Sequence, residues 1–334
     1  MAGPETTLQG GILTTEYFAG LDLGGTEIKV GLCTPEGEEI WSDRFPSNAE
    51  QGQEAILKAL AEAGQIAIET ALRESGKVVA LGLGTPGVVD PDQGTIRFPV
   101  ANLGGWHGTD IVGFFREKFG VPSVVENDAN AAAWGEYRSG AGVGARNLLA
   151  ATVGTGIGGG AVIEGELLKG AVGGAMELGH ITWEPGGRPC NCGLIGCMEA
   201  YSGGWGMAKE WGRRLGAGES PGVSDLVKAG LAGDPLANDV LDEGARILGA
   251  GMMSAVHLLN PDVIVIGGGI IDARPRHLEL IEESLRNHLL PKALADLSVV
   301  KARQGNRAGW IGAALRAAHL VQIGDLKNGT GGDS

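Results

Sequence analysis

The sequence predicts an α/β protein with room for one large or two ordinary α/β domains. Three observations carry that expectation. The chain is 334 residues long, enough for a well-buried core. Short apolar, β-branched runs alternate with longer stretches rich in Ala, Leu and Glu. Its 60 glycines stand against roughly 24 at average usage, and they cluster between apolar runs as tight turns do.

Taken in order, residues 1–15 are polar and unpatterned and are expected to be a disordered leader. Tyr17–Leu23 and Ile28–Cys33 read as strands joined by Gly24-Gly25-Thr26, and Pro35-Glu36-Gly37 turns the chain into a third strand near Ile40-Trp41. A hairpin tip of this kind offers successive backbone N–H groups and a hydroxyl to a phosphate, while Asp22 is placed to hold a metal or its waters. An ordinary Gly-Gly hairpin is the competing reading. Glu50–Ser75 is expected to be one long helix ended by Gly76, and Val78–Leu83 a buried strand running into the loop Gly84-Thr85-Pro86-Gly87. Asn102, in the loop before Trp106, either meets a sugar hydroxyl or makes a local Asx-turn. A helix near Thr109–Phe119 follows.

Pro122–Val125 is a short apolar strand and Ala131-Ala132-Ala133 belongs to a helix, so Glu126-Asn127-Asp128-Ala129-Asn130 falls at a strand-to-helix junction, where catalytic groups are often held. Asp128 is either a helix cap or a general base. Beyond it, Asn147–Val153 and Ala161–Ile163 flank Gly154-Thr155-Gly156-Ile157-Gly158-Gly159-Gly160, a second glycine-and-threonine tip. Two such tips suit a nucleoside triphosphate gripped from both sides. Neither is a Walker A loop, since no Gly-Lys-Ser/Thr follows, nor a dinucleotide fingerprint, since a strand rather than a helix comes next.

Three of the four cysteines, Cys190, Cys192 and Cys197, fall within eight residues, just after His180. Clustered thiols in a cytoplasmic protein favour a metal over a disulfide, and one imidazole with three thiolates makes a complete tetrahedral zinc set, structural because no position is left for water. Cys33 reads as core. Such a zinc would gather Glu177, His180 and Glu199, carboxylates and an imidazole that suit a polyol; a solvated face with a capping glutamate is the alternative. Three helices are expected over 205–215, 222–230 and 235–259, followed by a buried strand Asp262–Ile266 that ends in Gly267-Gly268-Gly269 and a last helix beginning near Gly305.

The net charge of -14, with no basic block, opposes nucleic acid and anionic membrane as partners. No signal-like or membrane-length apolar run is present, and a cytoplasmic location is expected.

Asp22-Leu23-Gly24-Gly25-Thr26, Gly84-Thr85-Pro86-Gly87, Glu126–Asn130, Gly154–Gly159, Glu177-Leu178-Gly179-His180 and the Cys190, Cys192, Cys197 loop, in that order from about residue 17 to 322, resemble the ROK family of bacterial sugar kinases and repressors, its glucokinases most of all. The resemblance implies an actin-like ATPase fold of the hexokinase, ribonuclease H-like type, with two lobes around a cleft: 16–121 plus 305–324 in the smaller, 122–304 with the zinc loop 180–197 in the larger, and a flexible tail over 325–334. It implies ATP-dependent phosphorylation of a hexose, glucose first, with Mg²⁺ and structural Zn²⁺, in a homodimer or homotetramer. Carried over, Asp128 is the base, and Gly87, Asn102, Asn127, Asp128, Glu177, His180 and Glu199 bind sugar. Asp22, Gly24, Gly25, Thr26, Lys29, Gly154, Thr155, Gly156, Gly268 and Gly269 bind nucleotide, and His180, Cys190, Cys192 and Cys197 bind zinc. Met176 stands where the family has glycine, and Glu27 where it often has lysine. Kinases for N-acetylmannosamine, N-acetylglucosamine, fructose or allose and a non-catalytic sugar-binding regulator are the other readings. A repressor would need a helix-turn-helix of roughly 60 residues before the first hairpin, which arrives at residue 24.

Overall fold

A computed structural model describes residues 7–9, 12–98, 100, 103–218 and 220–326. The chain divides into two compact units. The first holds residues through Val143, Lys169–Ala175 and everything from Asn306; the second holds Gly144–Leu168 and Met176–Gly305.

The first unit opens with strands β1 (Thr7–Gln9), β2 (Ile12–Leu23), β3 (Glu27–Cys33) and β4 (Glu39–Pro46), each antiparallel to the one before. Helix α1 (Gln53–Arg73) then crosses over to β5 (Gly76–Thr85), and α2 (Ile111–Phe119) leads to β6 (Ser123–Asn127) and α3 (Asp128–Ser139). The sheet runs β4-β3-β2-β5-β6, with β1 pairing β2, and β5 lies parallel to both its neighbours. Helix α1 docks through a stripe at helical spacing, Ile56, Ala59, Leu60, Ala63, Ala67 and Ala71, all buried.

The second unit carries β7 (Asn147–Val153), β8 (Ile157–Ile163) and β9 (Glu166–Leu167) as an antiparallel meander. Four helices follow, α4 (Glu199–Ser202), α5 (Gly204–Leu215), α6 (Val223–Leu231) and α7 (Pro235–Leu259). Strand β10 (Val263–Gly267) precedes α8 (Gly269–Ala273), α9 (Pro275–His288), α10 (Pro291–Leu294) and β11 (Ser298–Lys301). The order is β11-β10-β7-β8-β9, with β10 parallel to both neighbours. Asp234 caps α7 through the N–H of Ala237, Pro235 fills its first position, and Asn260 ends it in a left-handed conformation.

The chain closes in the first unit with α11 (Ala308–Gln322). Glycines let it sit against backbone: a Cβ on Gly20 of β2 would fall 1.9 Å from the Trp310 carbonyl oxygen, and one on Gly312 only 1.7 Å from that of Ala131 in α3. These close approaches fix the sheet and both helices as one block.

Four expectations change. The predicted leader is partly strand, since Thr7–Gln9 pairs with Ile12–Thr14; residues 1–6 and 10–11 lie outside the described residues. Helix α1 runs from Gln53 to Arg73 rather than from Glu50 to Ser75; Ser75 takes φ +58°, and Gly76, expected to end the helix, already belongs to β5. The boundary between units follows Val143 rather than residue 121, because β6 hydrogen-bonds along β5 and α3 packs on α11. The short stretch Lys169–Ala175 also belongs to the first unit. Of the expected tail, 327–334 lies outside the described residues, as does Asn102. Among the described residues no helix is long and apolar enough to cross a membrane.

Candidate active site

In the first unit the strand-to-helix junction is built as the sequence implies, with one exchange of roles. Asn127, not Asp128, is the N-cap of α3: its Oδ1 accepts from the N–H groups of Ala129 at 2.9 Å and Asn130 at 3.2 Å. Asp128 is the first helical residue, half-buried, with Oδ1 2.8 Å from the Ala129 nitrogen. The capping duty is therefore filled beside Asp128, whose carboxylate sits where the helix dipole favours negative charge. The Asn127 amide also donates to the Gly87 carbonyl at 3.1 Å, which joins the junction to the 84–87 loop. Gly87 holds φ +103° there. Buried Trp106 donates from Nε1 to the Thr85 hydroxyl at 2.9 Å, fixing the same loop from below.

The first hairpin tip is closed by Gly24 N–H donating to the Glu27 carbonyl at 2.8 Å, with Gly25 and Thr26 exposed. Lys29 reaches back from β3 to Asp22, Nζ to Oδ2 3.2 Å. Burial raises the Asp22 carboxyl above the usual carboxylate range, and Lys29 pulls it the other way. Gly309, in the first turn of α11, must be glycine to sit beside it, since a Cβ would lie 2.5 Å from Asp22 Cγ.

The second tip, in the second unit, is held more firmly. The carbonyls of Gly154 and Thr155 accept from the first N–H groups of α5, Gly204 at 3.0 Å and Trp205 at 2.9 Å, and Gly156 accepts from Gly154. All three carbonyls of the tip are thus turned toward the protein. Glu199, the first residue of α4, accepts from Ile157 N–H at 2.8 Å and from Trp205 Nε1 at 3.0 Å. A Cβ on Gly156 would collide with that carboxylate, 2.4 Å from Oε2. Gly268, at φ +105°, lies on Val153 of the same strand and Gly267 on Ala302, so packing alone requires both; Gly269 faces open space.

Cys190, Cys192, Cys197 and His180 converge in the same unit, their ligand atoms all within 4.8 Å of one another. Cys192 and Cys197 sulfurs are 3.7 Å apart, and Cys190 Sγ is 3.8 Å from His180 Nδ1. A zinc-thiolate tetrahedron has edges of about 3.8 Å for bonds near 2.3 Å, so the donor set fits that ion. Burial pushes the Cys190 thiol up to about 12, so without a cation it stays protonated. Cys33 is buried core, as expected.

Leu178–His180 is a single 3₁₀ turn entered through exposed Glu177. Met176 before it holds φ +66°, a left-handed conformation that the glycine expected there from the resemblance would adopt without strain. A Cβ on Gly179 would lie 3.3 Å from Glu199 Cβ, so Glu199 adjoins the turn that carries His180, as the sequence reading expected.

Other residues at the site escaped that reading. Glu126 is buried and grips two cations, Lys169 Nζ at 2.5 Å and Arg316 Nε at 3.2 Å. Arg316 was visible as the lone charge in the alanine-rich run of α11; nothing marked Lys169. Beside the Cys/His loop the Tyr201 hydroxyl of α4 donates to Glu184 and accepts from Arg188 N–H, both at 2.6 Å, and Arg188 pairs with Glu210 of α5 at 3.3 Å.

The comparisons agree with this architecture. A model of the ROK family matches residues 18–319. A glucokinase from Halalkalibacterium halodurans is 36% identical over 314 residues, covering 90% of this chain and 94% of its own. A ROK hexokinase from Thermus thermophilus superimposes with a TM-score of 0.81 at 37% identity, covering 92% of this chain and 99% of its own. A ROK glucokinase from Streptomyces griseus, solved with glucose and AMPPNP, gives 0.77 at 34% identity over 91% and 99%. A chain with these two mixed sheets, these hairpin tips and this Cys/His loop, matched by the family model over nearly its whole length, is a member of the ROK family and has its actin-like ATPase fold.

Proposed function

We infer that the protein is an ATP-dependent sugar kinase that phosphorylates glucose at its 6-hydroxyl. The observation that carries the chemistry is Asp128: a carboxylate at the start of α3 whose neighbour Asn127 does the capping. The relatives named glucokinase, and the S. griseus enzyme solved with glucose and AMPPNP, support the substrate pair.

In this reading Asp128 accepts the proton of the 6-hydroxyl as its oxygen bonds to the γ-phosphorus; the bond from that phosphorus to the β,γ-bridging oxygen breaks and ADP leaves. Asp128 then returns its proton to water. The tips Gly24-Gly25-Thr26 and Gly154-Thr155-Gly156 cradle phosphates. Inward-turned carbonyls at the second tip leave its outer side to donors, the polarity an anion needs. Lys29 and Asp22 stand at the first tip, where Asp22 is assigned to Mg²⁺ or its waters, and the ion would neutralise phosphate charge. Gly268 and Gly269 line the nucleoside. Sugar hydroxyls fall to Asn127, Glu177, His180 and Glu199, with Gly87 beside Asn127 and with Asn102, which is assigned from the sequence alone.

Zinc would be held by His180 Nδ1 and the three thiolates, where it supplies rigidity and no reactive position. His180 then keeps Nε2 for a hydroxyl, and the loop tied by the ion holds Glu199 against the Gly156 tip. A homodimer or homotetramer in the cytoplasm completes the reading.

The test is ADP release with MgATP across glucose, mannose, fructose, allose, N-acetylglucosamine and N-acetylmannosamine. A kcat/KM highest for glucose is expected. Preference for an N-acetylated sugar would overturn the acceptor and keep the mechanism; no turnover with any sugar would overturn the kinase.

A further inference from the structure

Lys169–Ala175 is a strap: it belongs to the first unit, although the chain on both sides, Gly144–Leu168 and Met176–Gly305, builds the second. Two unlike anchors hold it. Lys169 Nζ lies 2.5 Å from Glu126 Oε1, a carboxylate only 4% exposed that also receives Arg316 Nε at 3.2 Å. Gly173, at φ +82°, approaches β5's outgoing loop so closely that a Cβ would stand 1.9 Å from the Val89 carbonyl oxygen. The strap is also closed on itself, because Ala175 N–H donates to the Lys169 carbonyl at 3.1 Å. Displacing Lys169 therefore displaces Ala175, and the next two residues are Met176, in its left-handed conformation, and Glu177.

The other face of the same ion cluster meets the catalytic junction. Glu126 is followed by the cap Asn127 and by Asp128, and Arg316 lies over the Trp134 ring of α3, its guanidinium carbon 5.0 Å from the centroid. One buried carboxylate is thus shared between the elements that fix Asp128 and the strap that leads into Glu177. A buried carboxylate held by two cations tolerates little displacement, because losing either cation leaves charge in a poorly solvated place.

We propose that Lys169 is a positioning residue for the sugar: through Glu126 it holds the strap, and with it the chain that runs on into Met176 and Glu177. The proposal rests on the sugar-kinase reading and adds a residue to it. Misplacement of reacting groups by about 1 Å costs on the order of 10²-fold in rate. Lys169→Met should then lower kcat/KM for the sugar by up to about 10²-fold, with both a raised sugar KM and a lowered kcat. The KM for ATP should stay at the wild-type value, since the strap's anchors, Glu126 and Val89, belong to neither phosphate hairpin.

The experiment measures both KM values and kcat for Lys169→Met, Lys169→Arg, Glu126→Gln, the Lys169→Met/Glu126→Gln pair and Gly173→Ala. Expected are recovery in Lys169→Arg, which keeps the charge, and a double variant no worse than its worse single, since the two residues act as one. Gly173→Ala, which dislodges the strap without touching a charge, should give the same split between the sugar and ATP. Wild-type parameters in Lys169→Met would overturn the proposal, as would additive losses in the pair or equal losses toward sugar and ATP. If Lys169→Met does not fold, Gly173→Ala decides the question alone, a normal sugar KM overturning the proposal. Absence of turnover by the wild-type protein on every sugar in the panel would instead defeat the kinase reading, so the two failures are told apart.

Discussion

Asn127 separates capping from substrate contact more sharply than any other position. Its Oδ1 takes two N–H groups of α3 and its amide nitrogen gives one bond to the Gly87 carbonyl. Asn127→Ala removes all three. The cap, worth about 1 kcal/mol, holds the two helix amides, while the bond to Gly87, worth about another 1 kcal/mol, ties the side chain to the 84–87 loop and not to the helix. Asn127→Asp keeps both acceptor bonds, since Asp caps as well as Asn and gains from the helix dipole, and loses only the donor. Hydrogen exchange at the Ala129 and Asn130 amides reports the cap; sugar KM reports the donor. In Asn127→Ala the two amides should exchange faster, by about fivefold for the 1 kcal/mol of the cap alone, and sugar KM should rise. In Asn127→Asp the amides should stay protected while sugar KM rises as much as in the alanine variant. An aspartate variant that exchanges like alanine, or one with wild-type sugar KM, would refute the division of labour.

Three further outcomes follow from the geometry. Asp128→Asn should raise the barrier by about 3–5 kcal/mol, the loss of general-base help, with sugar affinity nearly intact by equilibrium binding; near-normal turnover would remove Asp128 from the mechanism. Cys192→Ala should lower zinc content, measured by metal analysis, and raise sugar KM because Glu199 follows the same loop; a wild-type protein purified without zinc would end that assignment. His277 is fully buried in the second unit, and burial, helped by Arg274 and opposed by Asp242, lowers its pKa from 6.5 to about 3. Below pH 6.5 the unfolded chain binds a proton the native ring refuses, so its contribution is complete above 6.5 and is lost toward pH 3, by up to about 5 kcal/mol. His277→Leu should flatten that acid limb in urea midpoints followed against pH; an unchanged limb would exclude His277 as its source.

The features legible in the sequence are those whose physics is local. Both hairpins, the cap-bearing junction before α3 and the Cys/His cluster each lie within a few tens of residues, where spacing and residue type settle the conformation. Ser75 and Met176 were not legible, because a positive φ in a residue with a side chain is imposed by its surroundings and leaves no mark in composition. The cluster of Glu126, Lys169 and Arg316 escaped for another reason: its members are 43 and 190 positions from Glu126, and an ion pair buried at such separation has no sequence period. The unit boundary was misplaced at residue 121 because the pairing of β6 with β5 is likewise a contact at long range.

Glu199 shows how the local and the distant combine. Sequence reading gave it to the sugar, yet its Oε2 holds Ile157 N–H and its Oε1 holds the Trp205 indole, both beside the tip assigned to phosphate. A carboxylate oxygen has two acceptor directions, so each oxygen keeps one for a hydroxyl after these bonds are made. Gly156 has to be glycine for the carboxylate to reach that position, and Cys197, two residues earlier, belongs to the Cys/His cluster. One side chain thus ties the turn that carries His180 to the Gly154–Gly156 hairpin within a single unit. Movement of Glu199 toward a bound hydroxyl would be felt at Ile157, and with it at the turn that aligns the phosphate donors.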